Sequence, residues 1–254
     1  METNLRGVKE MAKLLLEYPI KASGTFMDDF FLQHPVFRDR IVSIPCEKTE
    51  ENPVGIQMID ILLPENQEKV RQLYRGVIEK QKTAMGIFMI INKPYSGFFF
   101  KYVKDYLNNE DYTEILESLW TSMEYPNTDA NVSKREWISF WKKADKNIIY
   151  NDEDLKVLEE LPEEFYVYRG LMDRAKVQAL SWTLDLDKAI WFAKRFNRKG
   201  KVYRGLCKKK DILVYLSCRD ESEIVVDWKK LKNIEEVNYE IWFGWFKKQD
   251  SKGC

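Results

Sequence analysis

A chain of 254 residues, 44% hydrophobic and 14% aromatic, can bury one large core or two smaller ones, which excludes global disorder. Its 41 basic and 41 acidic residues balance, so no net field draws it to nucleic acid or to a membrane. The four cysteines, Cys46, Cys207, Cys218 and Cys254, show no CxxC spacing, which argues against a zinc site or disulfide framework and for reduced thiols in a cytosol.

In chain order, Met1-Glu-Thr-Asn lacks the basic start and apolar run of a signal peptide, and a cytoplasmic location is expected. Leu5 to Tyr18 carries Val8, Met11, Leu14 and Leu15 at helical spacing. The single histidine, His34, precedes Pro35 without a triad-like setting, so it reads as a surface or internally satisfied residue. A second helix is expected from Glu65 to Lys80, where Val70, Leu73, Tyr74 and Val77 recur after Pro64. Ala84 to Ile91 is the most apolar stretch, but it is too short to span a bilayer and ends at Asn92-Lys93-Pro94. Asp111 to Met123 and Ser133 to Ala144 continue the helical pattern. The latter opens on Ser133 and Glu136, a capping box, and places Trp137, Phe140 and Trp141 on one core-facing stripe.

Near residue 163 the period changes from helix to strand. Phe165 to Arg169, Leu180 to Leu184, Val202 to Leu206, Ile212 to Leu216, Ser222 to Val226 and Tyr239 to Phe246 read as strands. One helix interrupts them, capped by Asp185, buried through Leu186, Ala189, Ile190, Ala193 and Phe196, and stopped near Gly200. Helices first and strands later predict an α+β fold: a helical N-terminal half, residues 1–125, then a mostly antiparallel sheet within residues 126–254.

The sheet segments carry the chemistry. HExxH, GxGxxG and GxxxxGK[ST] are absent, and no metal is expected. Three polar stretches remain: Tyr168-Arg169-Gly170, Ser181-Trp182-Thr183 and Glu221-Ser222-Glu223. Alternation along a strand puts Ser181 and Thr183 on one face and Trp182 on the other. It likewise groups Glu221 with Glu223, about 7 Å apart at Cα, opposite Ser222, Ile224, Val226 and Trp228. Arg169 faces away from Tyr168 at its strand's end. Each strand can then offer polar groups to one cleft and pack apolar groups beneath. Taken singly, the same residues also fit solvated strand faces.

The order Arg, then Ser-x-Thr opening a strand before a helix, then Glu-x-Glu beginning a later strand resembles the R-S-E class of mono-ADP-ribosyltransferases. Leu161 to Gly170 and the run Tyr215-Leu216-Ser217 into Glu221 add to the likeness, which spans about residues 130 to 246. The resemblance implies an ADP-ribosyltransferase-like core that takes NAD as substrate. Arg169 would hold the phosphates, the Gly170 backbone would bind the nicotinamide amide, and Thr183 would shape its pocket. Ser181 would orient Glu223, which would bind the ribose and stabilise the oxocarbenium ion. Glu221 would position or deprotonate the acceptor, and a glutamate there implies arginine on a protein.

The family's usual Ser-Thr-Ser is Ser-Trp-Thr here, with the middle residue facing the core. The connection Cys218-Arg219-Asp220 is short where an acceptor-recognition loop usually stands, so a protein acceptor, nucleic acid and water all stay open. A non-catalytic module on a degenerate transferase fold is the other reading. Trp191 and Phe192 are candidates for stacking on nicotinamide, though as helix residues they read as core. Lys194 to Lys210, with nine cations and no acid, could steer phosphates or touch nucleic acid; it also fits a solvated helix end and hairpin. The helical half would select a target or hold a partner, and a phage or toxin source would put the protein in a host cytosol.

Overall fold

The computed structural model describes residues 2–25, 27, 30–123, 129–172, 176–195, 200–218 and 221–238. The chain divides into two units, Met1–Val132 and Ser133–Cys254. The predicted strand over residues 239–246 and Phe196 of the predicted helical stripe lie outside the described residues.

The first unit opens with α1 (Leu5–Leu15), whose N-cap Asn4 accepts from Gly7 N and which buries Val8, Ala12 and Leu15. Leu14, expected on the buried stripe, is instead 60% exposed, because burial moves on to Leu15 and Leu16. Next comes a hairpin absent from the sequence reading, β1 (Ile41–Pro45) against β2 (Ile56–Asp60), antiparallel in the register Ile41↔Asp60 to Pro45↔Ile56. Helices α2 (Pro64–Lys80), α3 (Ala84–Phe88), α4 (Lys93–Val103) and α5 (Asn109–Ser122) follow. Proline at the start of α2 and α4 needs no amide partner there, and Thr83 and Asn108 cap α3 and α5. Phe99, Phe100, Tyr112 and Trp120 are among this unit's most buried side chains.

His34 sits in that unit with no exposed surface. Its Nδ1 accepts from Val36 N and Phe37 N at 3.1 and 3.0 Å, so Nε2 carries the proton and donates to Tyr18 O at 3.2 Å. It is an internally satisfied histidine.

The second unit begins with α6 (Lys134–Lys143), closed by the predicted capping box: Ser133 N donates to Glu136 Oε2 at 2.8 Å, and Glu136 N to Ser133 Oγ at 3.3 Å. Trp137, Phe140 and Trp141 are buried, as their spacing predicts. Short helices α7 (Lys146–Ile149) and α8 (Asp152–Glu160) lead into β3 (Glu164–Leu171). Then come β4 (Ser181–Thr183), α9 (Leu186–Lys194), β5 (Lys201–Lys208), β6 (Ile212–Leu216), β7 (Glu223–Val226) and β8 (Lys232–Val237). The strands form one sheet, β6-β7-β4-β3-β5-β8, antiparallel at every pairing. The fold is α+β, helical first and sheet-rich second.

Both sheet faces are covered. On one, Phe165, Val167, Trp182, Tyr215, Ile224 and Val226 form an apolar floor. On the other, α9 lays Ala189, Ile190 and Ala193 against Tyr168 and Val202. Gly170 makes this approach feasible: a Cβ there would lie 1.9 Å from Ala189 O. Gly200, expected to stop α9, begins the approach to β5, and α9 already ends at Lys194. Among the described residues no helix is long and apolar enough to cross a membrane.

Candidate active site

The three polar stretches come together on adjacent strands β3, β4 and β7, the third of them through Glu223 alone. Tyr168 stands opposite Thr183, Thr183 opposite Glu223, and Glu223 opposite Leu216, one row across four strands. Directly paired residues share a face, so Thr183 and Glu223 lie on the α9 side while Trp182 and Ile224 pack into the opposite core. Trp182 is 2% exposed and its indole donates to Ala179 O at 3.0 Å. Its presence between Ser181 and Thr183 is packing.

Strand alternation does not carry Arg169 to that face. With Tyr168 in the Thr183–Glu223 row, Arg169 leaves β3 toward the Trp182 side. The β3–β4 ladder pairs at Tyr168↔Thr183 alone, and beyond it the Arg169 guanidinium bridges the strands, Nη1 donating to Ser181 O at 2.5 Å. Arg169 Nε is shielded from solvent with no hydrogen-bond partner. Burial lowers its pKa to about 10, opposed by the Glu223 carboxylate, and it stays a cation at neutral pH. The cation therefore sits at the split between β3 and β4, within electrostatic range of Glu223.

Thr183 is the local hub. Its hydroxyl donates to Glu221 O at 2.7 Å and accepts from Asp185 N at 3.0 Å. Leu184 N adds a bond to Ser222 O at 3.0 Å, so the end of β4 straps down both residues before Glu223. Asp185 then caps α9, accepting from Asp187 N and Lys188 N at 2.7 and 3.2 Å.

The expected alternation of Glu221 with Glu223 is corrected at Ser222. Its φ of 43° lies in the left-handed region, which costs a non-glycine residue about 1–2 kcal/mol. β7 starts only at Glu223, so Glu221 lies in the segment before the strand and the extended-strand spacing of about 7 Å does not apply. Backbone strain beside a polar cluster is a feature that the serine did not announce. Glu221 and Glu223 are both half-buried.

Ser181 stands opposite Val225, so the residue beside Glu223 is Thr183. Gly170 lies under α9, paired with Val202. Trp191 is not core as expected: it is 55% exposed, with the Arg195 guanidinium 5.4 Å from its ring centroid and Phe192 edge-on at 5.0 Å.

The basic run is largely tied up where it is described. Lys201 pairs with Glu236 at 2.7 Å, Arg204 with Glu235 at 2.5 Å and Lys208 with Glu164 at 3.3 Å. Lys209 Nζ donates to Glu159 O and Leu161 O. The acids come from β8 and β3, elements outside the run, so its local sequence overstated its field.

Among the described residues no group of three or more His, Cys, Asp or Glu side chains is arranged to hold a metal ion. A cleft of about 330 Å³, lined by Met27, Phe30, Phe31, Asp39 and Ile41, belongs to the first unit and shares no residue with this site. No family model, curated protein or solved structure matches the chain.

Proposed function

We propose that the second unit is an NAD-dependent mono-ADP-ribosyltransferase acting on a macromolecule, with arginine of a protein as acceptor. The observation that carries this reading is the pairing of Thr183 with Glu223, with the Arg169 cation bridging β3 and β4 within electrostatic range of that carboxylate. It joins a site for phosphate to a carboxylate held in a fixed place, which is what cleavage of a glycosidic bond beside a diphosphate requires.

In the proposed reaction the bond between ribose C1′ and the nicotinamide nitrogen breaks, and its electron pair leaves with nicotinamide. Positive charge then spreads over C1′ and the ring oxygen, where the Glu223 carboxylate stabilises it. An acceptor nitrogen attacks C1′ and gives up a proton, for which Glu221 is the candidate base. Thr183 acts as a positioning residue, fixing the Glu221–Ser222 segment from which Glu223 enters β7. Arg169 and Ser181 would bind and align the dinucleotide; Gly170 would serve through its backbone. The first unit is the candidate selector of the acceptor.

Labelled NAD separates this reading from its neighbours. Label moving to protein, lost in Glu223→Gln, supports it. Label appearing only as free ADP-ribose means that water is the acceptor and the protein is an NAD glycohydrolase. NAD bound but never turned over means a binding module. Label on nucleic acid would run against the pairing of Lys201, Arg204 and Lys208 with carboxylates.

A further inference from the structure

We propose that Lys134, on the first turn of α6, joins Arg169 in holding the diphosphate of the dinucleotide. The inference rests on the proposed function and extends the site to an element outside the three polar stretches.

The geometry begins with two cations that close on one short segment. Lys134 Nζ donates to Gln178 O, and Arg169 Nη1 donates to Ser181 O, carbonyls three residues apart at the entry to β4. Neither group is used up by these bonds. Arg169 Nε is buried without an acceptor, and a lysine ammonium offers three protons where this one has a single acceptor among the described residues. A buried donor without an acceptor carries a cost that a bound anion removes.

The local field agrees with that geometry. Lys134 has its pKa lowered first by burial and then by the nearby charges of Arg169 and Lys176. Lys134 thus feels two like charges, while the Glu223 carboxylate acts on Arg169. An anion spanning two phosphates relieves that repulsion. Arginine contributes a flat fork and lysine a point charge, a usual division of labour on phosphates.

Lys134 also straps the connector before β4, and the experiment must tell charge from strap. Lys134→Gln keeps a donor for Gln178 O but removes the charge; Lys134→Arg keeps the charge. Sodium pyrophosphate is titrated calorimetrically into the full chain and both variants, with thermal melts and NAD kinetics alongside. The expected result is pyrophosphate affinity about tenfold weaker in Lys134→Gln at low salt, retained in Lys134→Arg, and fading for the wild type as salt rises. KM for NAD rises in parallel, with kcat changed far less.

Equal pyrophosphate affinity in Lys134→Gln and wild type, or no binding to either, overturns the proposal. So does a lowered melting temperature and kcat with KM unchanged, which marks a strap only. Lys134-dependent pyrophosphate binding without NAD cleavage upholds this site and sinks the proposed function. NAD cleavage with a Lys134-independent KM does the reverse.

Discussion

Acidification from pH 7 to 5 should weaken the first unit through one side chain, His34. Protonating Nδ1 abolishes the acceptor that holds Val36 N and Phe37 N, and it places a charge in a site with no exposed surface. The ring is also stacked on Phe37 at 4.4 Å between centroids, so it cannot turn away without breaking packing. Burial lowers its pKa from 6.5 to about 4, with the nearby Arg71 charge acting the same way and the Tyr18 carbonyl opposing it. The unfolded state therefore takes up the proton first. Stability from neutral His34 is complete above pH 6.5 and is lost as pH falls from 6.5 towards 4. At 1.36 kcal/mol per pKa unit, the full loss is about 3 kcal/mol, of which about 2 kcal/mol falls between pH 7 and 5. That is a large share of a domain's usual stability of about 5–15 kcal/mol.

Because the chain has one histidine, its imidazole C–H resonance can be followed by NMR without assignment ambiguity. Urea unfolding at pH 7 and 5, for wild type and His34→Gln, isolates its share of the pH dependence. A folded-state titration midpoint near 6.5, or the same pH dependence in both proteins, would refute the reasoning.

The remaining predictions concern the second unit. Gly170→Ala should cost about 3 kcal/mol or more, since its methyl would meet the Ala189 carbonyl of α9 rather than a movable side chain. An unchanged melting temperature would show that α9 does not pack so closely. Thr183→Val should cost about 1–3 kcal/mol by leaving Glu221 O and Asp185 N without their partner, while Thr183→Ser stays close to wild type. In NAD turnover Thr183→Val should lose kcat more than it raises KM, and equal losses in Val and Ser variants would deny the hydroxyl its positioning role.

Local rules made much of the architecture legible. The Ser133–Glu136 box, the Asp185 cap and the strand Ile212–Leu216 all follow from short-range chemistry and appear as expected. Two strands of the first unit did not, because in the hairpin Ile41, Ser43, Pro45, Ile56 and Met58 mix apolar and polar residues on an exposed face. β8 was equally hidden: Lys232 to Val237 is mostly polar and joins the sheet edge through pairs such as Arg204–Glu235. Within the site, the facing of Ser181, Trp182 and Thr183 was readable, since all three lie in one strand. The facing of Glu221 was not, because a left-handed serine interrupts the alternation. Nor could spacing show that the β3–β4 ladder ends at Tyr168, beyond which the Arg169 guanidinium bridges the strands to Ser181 O. Lys134 was invisible for a simpler reason: it joins the connector before β4 through Gln178 O, 44 positions away in sequence.

Release of nicotinamide from NAD by the wild-type chain and by Glu223→Gln, each shown to be folded by its melt, tests the central claim most directly. The account predicts release by the wild type and a fall of about 10²–10³-fold in the variant. Equal release by both proteins, or none by the wild type with any acceptor supplied, would contradict it.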